Sequence, residues 1–236
     1  MVPKIREYLE AEAEKLANDW LTAQRVAIKS LTDERQDVYR EIREMSADPL
    51  DVTVAEPRTQ LQPSKAREPD GTEFDLPRYE RHLLCDTDSL FPELFGSEWE
   101  APVLLAELGR ADSIGWYRNP GRASQESLGV VYEEASEPKI LRPDFVFFAR
   151  LDSGELVADI VDPHGYHLAD ALPKLNGLAD YAEKHGSHYR RIEAIAKLGS
   201  GYRVLDLTDG ATREAVRTAG SAEAAYRSAV AHDYSV

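Results

Sequence analysis

The sequence predicts an α/β protein: a central mixed β-sheet flanked by helices, preceded by an N-terminal helical arm. Three observations carry this. Short apolar runs of strand length alternate with helical periodicity from about residue 98 onward, a helical stripe fills residues 3–45, and a proline-rich stretch separates the two. The corresponding boundaries are 1–46 for the arm, 47–78 for the linker and 79–236 for the domain.

In the arm, Ile5, Leu9, Leu16, Trp20, Ala27, Leu31, Val38, Ile42 and Met45 recur mostly three, four or seven residues apart, the spacing that lines one face of a helix. Pro3 suits a helix start, and Thr32 or Asp33 can cap a second helix after a break near Ser30. From Ser46 to Pro77, five prolines and Gly71 oppose a continuous helix or an interior strand, so this stretch reads as a linker. Beyond it the spacing predicts a helix over 98–109 and strands over 128–132, 145–149 and 156–161. A helix over 168–184 follows, with Leu172, Leu175, Leu178, Ala179 and Ala182 on one side and Gly186 at its C-cap. Strands over 192–197 and 202–207 and a last helix over 212–231 complete the order.

Bulk properties narrow the function. A chain of 236 residues with 42% hydrophobic content supports one good core and an appendage. Lys and Arg number 28 against 43 Asp and Glu, a formal charge of −15, which repels a phosphate backbone unless the basic residues are gathered in one place. A dependent module is expected rather than an autonomous, tight DNA binder. Cys85 is the single cysteine, so no intramolecular disulfide forms, and a reducing, cytoplasmic setting is expected. No apolar run approaches membrane-spanning length, and the first residues lack a signal-peptide core, so no membrane partner is expected. The sequence lacks a phosphate-binding Gly-x-x-x-x-Gly-Lys-Ser/Thr loop and a Gly-x-Ser-x-Gly elbow, which argues against an encoded ATPase and against a serine hydrolase of that type.

The residues that carry chemistry lie on two neighbouring strands. Pro143-Asp144-Phe145 opens an apolar strand, Asp162-Pro163-His164-Gly165 ends the next, and Asp152-Ser153-Gly154 forms the turn between them. If these strands pair as a hairpin, the start of the first lies beside the end of the second. Asp144 and Asp162 are then close enough to share a cation, and carboxylate oxygens favour Mg²⁺ or Mn²⁺. The competing reading is that both aspartates only shape turns.

The strings Gly115-Trp116-Tyr117-Arg118-Asn119-Pro120, Leu128 to Tyr132, Arg142-Pro143-Asp144-Phe145, Val161-Asp162-Pro163-His164-Gly165 and Leu172-Pro173-Lys174-Leu175 carry a family likeness. Over roughly Glu98 to Lys197 the chain resembles the C-terminal PD-(D/E)xK nuclease-like region of type III restriction Res-subunit-like DEAD/DEAH-box helicases. The resemblance implies a restriction-endonuclease-like fold and Mg²⁺- or Mn²⁺-dependent endonuclease chemistry on DNA. It also implies a helicase or translocase as partner, in restriction or defence against foreign DNA. Carried over by position, Asp144 and Asp162 are the metal-binding acids and Glu100 of the first helix completes the shell, with Glu107 as the fallback. The family pattern has lysine two residues after the second acid, where this chain has His164. A neutral imidazole can accept a proton but does not supply a permanent cation, so Lys174 in the following helix is the candidate auxiliary charge. This departure, together with the acidic charge, supports an alternative reading. In it the chain is a catalytically inactive nuclease-fold module that docks on a helicase or DNA.

Two further patterns bear on the site. His164, His167, His185 and His188 could supply a Zn²⁺ or Fe²⁺ shell, but neither pair has the helical i, i+4 spacing that makes such a motif persuasive. Arg118, Arg122, Lys139, Arg142, Lys174, Arg190 and Arg191, with Trp116, Tyr117 and Tyr166 among them, are candidates for a phosphate-binding rim.

Overall fold

The computed structural model describes residues 2–46, 64–85, 90–124 and 126–236. The chain divides into two compact units, residues 1–52 and 53–236. The first unit holds two helices, α1 (Val2–Lys29) and α2 (Asp33–Ser46). Between them the backbone turns at Ser30, whose N–H reaches the Val26 carbonyl, and Gln36 Nε2 donates to the Leu31 carbonyl at 2.9 Å. Asp33 and Glu34 lie in the first turn of α2, where negative charge suits the helix dipole. Leu16 and Trp20, both on the predicted stripe, are exposed.

Most of the predicted linker, residues 47–63, lies outside the described residues. Its remainder contains a hairpin, β1 (Lys65–Arg67) and β2 (Glu73–Asp75), where the sequence suggested only a connection. Pro69-Asp70-Gly71-Thr72 supplies the turn, with the Thr72 N–H donating to Asp70 Oδ1 at 2.9 Å, and the exposed strands need no core. A second hairpin pairs β3 (Arg78–Glu80) with β4 (Leu90–Pro92).

The centre of the second unit is a six-stranded mixed sheet. Helix α3 (Glu100–Leu108) leads into β5 (Ser113–Arg118), then β8 (Phe145–Arg150), β9 (Leu156–Pro163), helix α4 (Ala171–His185) and β10 (Arg191–Leu198). Two strands, β6 (Val130–Glu134) and β7 (Glu137–Leu141), are inserted between β5 and β8. The chain ends with β11 (Gly201–Asp206), α5 (Gly210–Thr218), α6 (Ala222–Arg227) and β12 (His232–Tyr234). The strand order across the sheet is β12-β11-β10-β9-β8-β5. Neighbours are antiparallel except β9 and β10, which are parallel and joined through α4, the crossover that a parallel pair requires.

The two-residue period of the strands feeds two cores. Ile160, Ala194 and Leu205 face Leu175 and Leu178 of α4, Val216 of α5 and Tyr226 of α6. Val161, Ile195 and Val204, with Phe145 and Phe147, face Val103 and Leu104 of α3 and Trp116. Helices therefore cover both faces of the mixed sheet.

Three sequence expectations change here. The run at 128–132 was expected in the central sheet but contributes to the separate β6–β7 hairpin packed on α4, where Tyr132 lies against Gly177. The sheet position is filled by β5, which the sequence marked only as a motif. The helix expected over 212–231 breaks after Thr218, where Ala219 is extended; Ser221 then caps α6 by accepting from the Ala224 N–H at 3.1 Å, and the chain returns as β12 beside β11.

Candidate functional site

The site forms where β5 ends, β8 begins and β9 ends. A tight turn with Gly154 at φ +87°, a left-handed conformation suited to glycine, joins β8 to β9 and sets their register. Phe145 opposes Val161, so the residues just beyond, Asp144 and Asp162, also meet. The Asp144 backbone N–H donates to Asp162 Oδ1 at 3.0 Å. Asp162 is buried at 2% exposure, and the Asp144 side chain retains 26%.

Asn119, just after β5, fixes this corner. Its backbone N–H donates to the Asp144 carbonyl at 3.0 Å, its Nδ2 donates to the carbonyls of Pro143 and Leu128, and its Oδ1 accepts from the Leu128 N–H. Every polar atom of that buried amide is used. In the sequence, Asn119 lies within the Gly115 to Pro120 string that carries the family likeness.

Arg118 joins the acids. One guanidinium nitrogen lies 2.8 Å from Glu100 Oε2 and the other 3.1 Å from Asp144 Oδ1. The group stands over the rings of Phe95 and Phe145, 5.3 and 5.0 Å from their centroids. Its backbone N–H donates to Nε2 of buried His82 at 3.0 Å, and the His82 ring stacks on Phe91. Glu100, at 7% exposure at the start of α3, is thereby brought to Asp144 through an arginine. Sequence reading placed Arg118 in an outward rim and did not identify His82.

Burial pushes the Asp144 carboxyl up to about 8, the charge of Asp162 adds to this, and Arg118 only partly offsets it. His164 Nδ1 lies 3.1 Å from Asp162 Oδ2. Burial alone would lower the imidazole pKa, but the hydrogen bond and charge of Asp162 raise it above its ordinary value. On the other side of the ring, His164 Nε2 is buried without a hydrogen-bond partner, as is the hydroxyl of Tyr226, whose ring lies edge-on to the imidazole with centroids 6.4 Å apart. Burial, with the charge of Asp162 adding to it, holds the Tyr226 phenol well above the usual range. Nothing in the sequence pointed to Tyr226, which lies 64 residues beyond Asp162 on α6.

The remaining candidates are placed differently. Lys174 Nζ pairs with Asp170 at 2.7 Å, one turn earlier, although its charge is felt by both Asp162 and His164. Glu107, the fallback acid, is two helical turns from Glu100. It is held by Arg191 at 2.8 Å, Arg110 at 2.8 Å and the Tyr234 hydroxyl at 2.7 Å. The basic rim is largely consumed by ion pairs: Arg118 as described, Lys139 with Glu134, and Arg190 and Arg191 with buried Asp159. In so acidic a chain each of these cations finds a carboxylate nearby. His167 is exposed and His185 packs on Tyr181.

Among the described residues, no three His, Cys, Asp or Glu side chains form a group that could hold a metal ion as they stand. At the acidic corner, the Arg118 guanidinium bridges Glu100 and Asp144. The donor set itself suits a hard divalent cation. It is all oxygen, the Asp144 backbone N–H lies 3.0 Å from Asp162 Oδ1, and burial, with the charge of Asp162 added, raises the Asp144 carboxyl.

Together these features define a mixed α/β protein with an acidic, partly buried site at the strand ends of its sheet. The chain belongs to the YagJ family, whose match spans residues 80–235. Protein YagJ of Escherichia coli (strain K12) is 47% identical to it over 234 residues, covering 99% of this chain and 95% of that protein. No solved structure is significantly similar. Among the described residues, no helix is long and apolar enough to cross a membrane.

Proposed function

We propose that this chain is a restriction-endonuclease-like, Mg²⁺- or Mn²⁺-dependent DNA endonuclease module that works with a helicase or translocase. The observation that carries this reading is the contact of the Asp144 N–H with Asp162 Oδ1 at 3.0 Å, with Glu100 tied to Asp144 through Arg118. The helix, three antiparallel strands, crossover helix and parallel strand running from α3 to β10 support it, because that connectivity presents both acids at one sheet end. A likeness of architecture alone does not assign chemistry, so the case rests on the site.

Asp144, Asp162 and Glu100 would hold the cation. Once bound, it would polarise the scissile phosphate and lower the pKa of an attacking water. Asp162 Oδ2, 3.1 Å from His164 Nδ1, would set the orientation of an imidazole that helps to position that water. Lys174 adds positive potential from α4 without touching the acids. Since the chain is strongly acidic and its arginines near the sheet are paired internally, the partner supplies most of the grip on DNA.

Nicking of supercoiled plasmid at low salt tests this. Cleavage is expected with Mg²⁺ or Mn²⁺ and is lost in Asp144→Ala and Asp162→Ala proteins that still fold. Cleavage persisting in both variants removes these residues from the mechanism.

A second reading has its own support. His164 stands where the nuclease pattern has lysine, and Arg118 bridges two of the acids, both of which suit a non-catalytic docking module. His164→Lys separates the two: appearance of activity identifies a site inactive at that position alone.

A further inference from the structure

The bridge made by Arg118 has a consequence for metal binding. A guanidinium is monovalent and diffuse, and here it stands at ion-pair distance, without a hydrogen bond at Nη1 or at Glu100 Oε2, from the two carboxylate oxygens that a divalent cation would need at about 2 to 2.6 Å. Glu100 Oε2 and Asp144 Oδ1 therefore cannot serve both partners in the same geometry. The arginine is also anchored by more than its two ion pairs. Its guanidinium lies over Phe95 and Phe145, its backbone is tied to His82, and its side chain is only 22% exposed.

We propose that Arg118 is a resident counter-ion that holds the acidic site closed to divalent metal, and that it must release Glu100 and Asp144 before the metal binds. This rests on the metal-dependent reading given above, and it adds a residue that works against the metal rather than for it. The site is then weak for metal in the free protein, with an affinity set by competition between Arg118 and the ion for two carboxylates. A phosphate group is the chemistry best suited to draw the guanidinium away, since it offers a bidentate partner of higher charge.

Calorimetric titration of the full chain with MnCl₂ tests the proposal. Arg118→Gln, which keeps a shorter polar side chain but no charge, is expected to bind Mn²⁺ at least about tenfold more tightly than wild type. Adding Asp144→Asn to it is expected to abolish the gain. Arg118→Lys retains the charge and much of the packing on Phe95 and Phe145 but cannot fork across both carboxylates. It is expected to fall between wild type and Arg118→Gln, and it decides the question if the glutamine variant does not fold. Equal or weaker Mn²⁺ binding by the folded variants, with binding by wild type intact, overturns the role of Arg118 and leaves the metal site standing. Absence of Mn²⁺ binding at millimolar concentration in wild type and variants alike overturns both.

Discussion

The backbone N–H of Asp144 points at the carboxylate of Asp162, 3.0 Å away across the β8–β9 hairpin. One peptide group thus fixes the separation of two acidic residues and gives Asp162 a donor that does not titrate. Site geometry and strand register are therefore the same property, and changes to the sheet should be felt at the site.

Asp159, fully buried in β9, accepts from Arg190 Nε at 3.0 Å and from Arg191 at 3.2 and 2.6 Å. Removing it takes a shared buried acceptor from two guanidinium groups that keep other partners, Asp112 for Arg190 and Glu107 and Glu193 for Arg191, and the loss of such an acceptor costs about 1 to 3 kcal/mol. Asp159→Ala is expected to lower the unfolding free energy by that amount in urea denaturation. A loss under about 1 kcal/mol would show that the remaining carboxylates, Asp112, Glu107 and Glu193, suffice for both arginines.

Gly177 of α4 has no room for a side chain, since a Cβ there would lie 2.3 Å from Tyr132 Cβ. Alanine ordinarily favours a helix over glycine by about 1 kcal/mol. Here the clash dominates, and overpacking of about 1 to 3 kcal/mol is expected to make Gly177→Ala destabilising. A melting temperature at or above that of the wild type would contradict this packing of the β6–β7 hairpin.

His82 is 3% exposed, and burial pushes its pKa down to about 4 from an ordinary 6.5. It is therefore neutral in the fold while the unfolded chain takes up a proton below about 6.5. Stability from this residue is complete above that pH, falls progressively between 6.5 and 4, and is constant below 4. The full change corresponds to about 3 kcal/mol. Comparing urea midpoints of wild type and His82→Gln at pH 7.5 and 4.5 isolates the effect. The variant is expected to lose less stability on acidification, and equal losses would remove His82 from the acid response.

The Tyr226 hydroxyl is buried without a hydrogen-bond partner. Deleting an unsatisfied buried hydroxyl does not sacrifice a bond, so Tyr226→Phe is expected to be neutral or stabilising by up to about 1 kcal/mol. Scanning calorimetry showing a loss above 1 kcal/mol would mean that the hydroxyl is already engaged.

The legible parts of this molecule were those set by local pattern. The apolar run from Phe145, the Asp152-Ser153-Gly154 turn and the run to Val161 specify a hairpin, and the hairpin alone brings Asp144 to Asp162. The periodicity of α4 was equally plain. Strand β5 was hidden because Ser113-Ile114-Gly115-Trp116-Tyr117-Arg118 has a glycine and a register shift where an edge strand bends. The β6–β7 turn runs through Ala135 and Ser136 at φ +52° and +64°, conformations that neither residue signals in advance. Arg118 and Tyr226 were misjudged or missed because their roles depend on partners brought by tertiary packing: Glu100 and Asp144 for one, His164 for the other.

Anomalous diffraction from crystals soaked in MnCl₂ tests directly whether Asp144 and Asp162 hold one divalent cation. The predicted result is a single manganese peak within about 2 to 2.6 Å of oxygens from both carboxylates, with Arg118 moved off Asp144. A map without manganese at this corner, with the guanidinium still bridging Glu100 and Asp144, would contradict it.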